Sequence, residues 1–268
     1  MIAAVISEYR KFFSTRMWWV LTLSMFAYFL LIAGGMGYML AHEAQNGGLP
    51  PELIDSYRTA VYGLGPSMGY VFPALIGAMA VTAEYRHSTI LPTFLGEPRR
   101  AVVMAAKAVA AVPMGFVVGL AGTLACLAGG AIGLEIAGVG AQLGAGATWR
   151  GLALSVLAMT LWALVGVGLG MLVISQVGVI IAVLVFTQLV EPLARLGLAA
   201  FPATAPSAKY LPGAASDAIT GGGSIYAMAG LGGAGAYLRV WQGALVLAAY
   251  GVVFGLIGYF LRIRRDVA

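Results

Sequence analysis

Long uncharged apolar runs divide this chain. Residues Met17–Leu40, Val61–Ala83, Ala108–Leu134, Gly151–Val190 and Val240–Leu261 contain no Asp, Glu, Lys or Arg. A helix needs roughly 20 apolar residues to cross about 30 Å of hydrocarbon, and each run reaches that length. The fourth is too long for one crossing, because as a single helix at about 1.5 Å per residue it would extend about 60 Å. Ser175 and Gln176, followed by Gly178, predict the turn that divides it. The pattern therefore predicts an all-α integral membrane protein, one domain over residues 1–268, with six transmembrane helices at about 17–40, 61–83, 102–130, 151–174, 177–200 and 239–261. A barrel is disfavoured, since its strands would alternate rather than run continuously apolar. Ala218–Leu238 is uncharged as well, but too rich in glycine for a span. Gly115/Gly119, Gly166/Gly170 and Gly251/Gly255/Gly258 fall at spacings that let helix backbones approach, which predicts tight packing within the chain.

Residues 1–16 precede the first run and read as an amphipathic helix. Ile2, Val5, Ile6, Tyr9, Phe12 and Phe13 follow helical spacing, while Ser7, Glu8, Arg10, Lys11 and Ser14 fill the other face. No short apolar stretch ending in a small-residue cleavage site is present, so this segment is expected to lie in the headgroup layer rather than to be a cleaved signal. Trp18 and Trp19 would anchor the first span at the interface.

Composition agrees: 61% of the residues are hydrophobic and 9% charged, where a soluble domain has about 25% charged. The fifteen Lys and Arg residues set the orientation. Arg10, Lys11, Arg16, Arg86, Arg99, Arg100, Lys107, Arg262, Arg264 and Arg265 fall on one side, and Arg58, Arg150, Arg195, Lys209 and Arg239 on the other. The richer side is expected to be cytoplasmic, with both termini, in a plasma membrane. Its excess positive charge would read anionic membrane lipid, not nucleic acid. One cysteine, Cys126, excludes an internal disulfide, and two histidines are too few for a structural zinc site; no metal ligands are assigned.

The densest polar cluster joins the second and third predicted spans, over residues 84–101. It runs Glu84-Tyr85-Arg86-His87-Ser88-Thr89-Ile90-Leu91-Pro92-Thr93-Phe94-Leu95-Gly96-Glu97-Pro98-Arg99-Arg100, with Lys107 a short way on. It is too short for a catalytic domain. An apolar stretch with a basic rim is what a membrane subunit would insert into a groove on a soluble partner, although satisfaction of the positive-inside rule accounts for the cations equally well.

This segment resembles the corresponding one in the membrane subunits (permeases) of type-2 ABC transporters, mostly exporters. There a Glu, an Arg, a Gly-Thr or Ser-Thr pair, a Leu-rich stretch, a Pro, an Arg and a Lys in the next helix occur in order. Glu84, Arg86, Ser88-Thr89, Leu95, Pro98, Arg99-Arg100 and Lys107 follow that order, with Ser88 where glycine is commoner. Lys209-Tyr210-Leu211-Pro212 and the ending Arg264-Arg265-Asp266 look like the family's forms too. The resemblance implies an ATPase-coupling segment, in which Ile90, Leu91, Phe94 and Leu95 make apolar contacts and Glu84, Arg86, Arg99 and Arg100 fix orientation. It also implies a separate ATP-binding subunit, which would hold ATP and Mg, and a second permease subunit, identical or different. His87 reads as a surface residue.

The chain itself has no phosphate loop, because none of Lys11, Lys107 and Lys209 follows the required glycine pattern. It holds no cofactor and is not expected to be an enzyme, since His42, His87 and Cys126 lie in three different places. A secondary transporter or channel is the alternative, and would carry ionisable residues within its spans. Gln188 and Glu191-Pro192 come nearest to that, as a candidate pore or outer-mouth pair, but pairing of Glu191 with Arg195 near the outer surface is the preferred account. The connection 201–238 suggests turns or half-inserted helices at the outer mouth. The largely apolar spans favour an amphipathic drug, lipid or peptide as the transported molecule.

Overall fold

The computed structural model describes residues 1–48, 50, 53–221 and 238–263. Among these residues the secondary structure is entirely helical. The glycine-rich stretch beyond Gly221 and the ending Arg264-Arg265-Asp266 lie outside them. Helix α1 (Ile2–Ser14) leads into α2 (Met17–Gln45). Then come α3 (Ile54–Tyr62), α4 (Val71–Arg86), the short α5 (Ile90–Gly96), α6 (Arg100–Ile136) and α7 (Gly146–Leu172). The remainder is α8 (Gln176–Val185), α9 (Glu191–Ala199), α10 (Pro212–Ile219) and α11 (Val240–Gly258).

Among the described residues, five helices are long and apolar enough to cross a membrane: Met17–Gln45, Arg100–Ile136, Gly146–Leu172, Gln176–Ala199 and Val240–Ile263. The apolar run at 61–83 is different in kind. It is split among the end of α3, a π-helical turn at Gly65–Gly69 and α4. Pro73 explains the widening, since it has no N–H to offer the carbonyl of Gly69 four residues back. The same device recurs where Pro192 follows Gln188, and there the π-helical turn is Phe186–Val190, between α8 and α9. The 40-residue apolar run breaks after Leu172, and Ser175 caps α8 by accepting from the Gly178 N–H at 3.2 Å.

Helix α7 is the most buried of the five and forms the hub. Its approach to α4, α6 and α11 depends on glycines. A Cβ on Gly166 would strike the carbonyl of Ala74, and one on Gly77 that of Ala163. Gly115 faces Thr160 and Ala163, Gly168 faces the Gly251 carbonyl, and Gly258 abuts Met171. The spaced glycines are thus used between helices of one chain, where only a missing side chain allows such contact. Beside this hub Tyr70 stacks on Trp162 with ring centroids 4.3 Å apart, and both are buried. Leu23, Leu31 and Met39 on α2 and Leu245, Val252 and Leu256 on α11 are exposed, as apolar side chains facing lipid would be.

Candidate functional site

Two buried clusters of charge occupy opposite ends of α4. The first lies where α1, α4, α5 and α6 meet. Lys107 on α6 reaches Glu8 Oε2 at 2.7 Å, Glu84 Oε1 at 2.8 Å and the Ala80 carbonyl at 2.9 Å. Lys11 on α1 reaches Glu8 Oε1 at 2.7 Å, the same Glu84 oxygen at 2.6 Å and Thr93 Oγ1 on α5 at 3.2 Å. Two cations and two carboxylates close a ring of no net charge. Glu8, Glu84 and Lys107 are almost wholly buried, whereas Lys11 keeps 38% of its side chain accessible. Burial alone would lower the Lys11 pKa, but the hydrogen bonds and charges of Glu8 and Glu84 outweigh it and raise the ammonium above its ordinary value. α1 therefore turns part of its polar face inward. Ile2, Ile6 and Phe13 stay exposed on the other side, while Glu8 and Lys11 clamp the helix to the bundle.

Next to this ring, the segment 84–101 shows two faces. Ile90 is buried in one apolar cluster with Val103, Met104, Val167, Met171 and Ile263, and Phe94 packs against that cluster. One turn of helix separates them, so they share a face. Leu91 and Leu95 are likewise four apart and point the other way, 55% and 85% exposed. Of the four residues expected to make apolar contacts outward, two are therefore used inside. Arg100 donates to the Ile263 carbonyl at 2.7 Å and lies over the Phe94 ring at 5.3 Å, which ties α5 to the end of the α11 span. Arg86 donates to Gln176 Oε1 at 3.2 Å, at the start of α8. Thr89 and Pro98 are exposed at the two ends of α5. Arg99 forms a two-pronged pair with Glu97 at 2.8 and 3.0 Å, and its guanidinium holds the Glu97 carboxyl down to about 2. Ser88 turns the chain between α4 and α5 with φ at +56°, a left-handed conformation that glycine adopts without cost.

The second cluster gathers two of the three π-helical turns among the described residues, Gly65–Gly69 and Phe186–Val190, the third being Tyr259–Ile263. Arg195 on α9 binds Glu191 Oε1 at 2.9 Å and Asp217 Oδ2 on α10 at 2.7 Å. Ser67, in the first π turn, donates to Asp217 Oδ1 at 3.2 Å, and the Ala214 N–H donates to Glu191 Oε1 at 3.1 Å. Tyr70, just after the first turn, donates to the Thr187 carbonyl in the second at 3.3 Å. Glu191, Arg195 and Asp217 are all buried. Gln188 is not among them. It sits on the exposed side of its helix and donates to Thr187 Oγ1 at 3.3 Å.

Sequence reasoning singled out Glu84, Arg86 and Lys107 but not Glu8 or Lys11, and Glu191 with Arg195 but not Asp217 or Ser67. The i,i+4 spacing signals the Glu191–Arg195 pair; Glu8 has a local partner in Lys11, but Lys107 lies 99 residues away and carries no local signal. Among the described residues no group of three or more His, Cys, Asp or Glu could hold a metal ion. The chain matches no protein-family model and no curated protein.

Proposed function

We propose that this chain is the transmembrane subunit of an ATP-driven transporter of the type-2 ABC class, with six spans and both termini in the cytoplasm of a cell bounded by that plasma membrane. The observation that carries the reading is the two-faced segment 84–101. Its inner face is fastened to the bundle by Ile90, Phe94 and Arg100, and its outer face offers Leu91 and Leu95 among Arg86, Arg99 and Thr89. A soluble ATP-binding subunit pressing on Leu91 and Leu95 would push through α5 on α6 and on the end of the α11 span. The Glu84 ring would carry the same push to α1. ATP and Mg belong to that partner, and a second permease subunit completes the assembly. The cargo that suits spans so poor in charge is an amphipathic molecule, moved outward by alternating access.

A second reading, a gradient-driven transporter, draws on the buried Glu191–Arg195–Asp217 cluster, because ionisable groups within spans commonly mark ion paths. Purification of the tagged chain separates the two. On the ABC reading an ATP-binding chain co-purifies, and Leu95→Glu abolishes both that capture and ATP-dependent transport while thermal unfolding stays unchanged. Transport in vesicles free of ATP, driven by an ion gradient and stopped by an ionophore, would remove the ABC reading.

A further inference from the structure

The two charge clusters differ in balance. In the ring, two ammoniums meet two carboxylates, whereas one guanidinium, that of Arg195, serves both Glu191 and Asp217. With both carboxylates ionised, one negative charge is left uncompensated. Glu191 and Asp217 are each 1% exposed, and the backbone of Gly213 closes over Glu191 so tightly that a Cβ there would strike its Oε1 and Arg195 Nη2. The charged and titratable groups around the pair do not restore the balance. Tyr250 faces Glu191 from α11, and its hydroxyl donates to the Tyr210 carbonyl at 3.1 Å. Tyr70 donates to the Thr187 carbonyl, and the partly exposed Lys209 lies over the Tyr210 ring. Residues 222–237, outside the described residues, include no Lys, Arg or His. A buried carboxylate whose charge is uncompensated takes up a proton. The hydrogen bonds select which one. Asp217 accepts on both oxygens, from Arg195 at 2.7 Å and Ser67 at 3.2 Å. Glu191 accepts on Oε1 from Arg195 and from the Ala214 N–H, while its Oε2 is buried and accepts nothing among the described residues.

We propose that Glu191 is a proton-binding site, occupied at neutral pH while the cluster is closed, with the proton on Oε2. A proton needs no cavity around a sealed oxygen, and it brings the cluster to zero net charge. Opening the joint between α9 and α10 to water would let the acid ionise and release that proton. An ATP-driven subunit and a gradient-driven transporter would both carry it, so the inference stands apart from either reading.

The test is infrared spectroscopy of the full chain in phosphatidylcholine nanodiscs at about pH 7, where exposed carboxyl groups are ionised. The C=O stretch of an un-ionised carboxyl group is expected in the wild type, shifted by carbon-13 labelling of glutamate and unmoved by labelling of aspartate. Glu191→Gln should lose the band yet keep the thermal unfolding of the wild type, because the amide copies the un-ionised acid. Asp217→Asn should lose it too, since one guanidinium then faces one carboxylate and Glu191 can ionise. Where Asp217→Asn does not fold, the labelled wild type and Glu191→Gln decide. Absence of the band in the folded wild type, a shift with labelled aspartate alone, or persistence of the band in either variant would overturn the proposal. Loss of the wild-type band when sodium chloride replaces choline chloride would overturn it as well, by assigning the site to a metal cation.

Discussion

The two buried charge clusters solve one problem in opposite ways. The ring at the α1 end uses two ammoniums for two carboxylates, and its four members come from three helices, α1, α4 and α6. The cluster at the other end uses the single guanidinium of Arg195 to touch both Glu191 and Asp217, with Ser67 and the Ala214 amide assisting. A ring with two cations has a spare when one is lost. A fork of five N–H groups in a fixed plane gives more bonds per cation, but concentrates them in one residue. The second arrangement holds two π turns in register, since Ser67 and Glu191 meet through Arg195 and Asp217.

Removing cations ranks the clusters. Arg195→Met should be the most damaging, costing about 3–5 kcal/mol or more, because it strips a shared partner from two buried carboxylates at once. Lys107→Met should fall at the lower end of that range, since Lys11 still reaches both Glu8 and Glu84. Thermal unfolding in detergent reads the order, and an equal loss in both variants would mean that the second ammonium gives no protection. Lys11→Met should cost only about 1 kcal/mol, its side chain being partly in solvent. In the wild type, the Lys11 pKa lies above its unfolded value. The stability it adds is therefore complete below about pH 10.5 and declines only as pH rises through the folded value, so an alkaline stability profile should lose its final step in Lys11→Met. Smallest is Ser88→Gly, which relieves the left-handed backbone and should stabilise by about 1 kcal/mol or less. A destabilised Ser88→Gly variant would mean that the serine contributes more than a turn.

Much of the frame was legible because spans are continuous and local. Four of the five uncharged runs fall on the long helices, the exception being 61–83, and Ser175 marks the break after α7. The interruption at Gly65–Gly69 was not, because hydrophobicity summed over a window is blind to one extra residue in a turn, even with Pro66 and Pro73 in view. At the segment 84–101 the residue types were legible but their directions were not. Ile90 and Leu91 are adjacent and equally apolar, and only packing against α6 and the α11 end decides which one faces out. The ring was hidden for a related reason. Glu8 and Lys11 look like the solvated face of an interfacial helix until α4, 73 residues away from Lys11, is brought beside them.

The π turns set the helical phase of the bundle. Each holds one residue more than an α-helical turn would, so the chain after it is rotated by roughly 100° relative to an uninterrupted helix. Glu191 begins the turn of α9 that follows such a shift, and Val71 starts α4 after another. The faces that meet at Tyr70 and Thr187 are therefore created by two added residues rather than by the choice of side chains there. A homologue one residue shorter in either turn could keep every residue of the charge cluster and still be unable to assemble it.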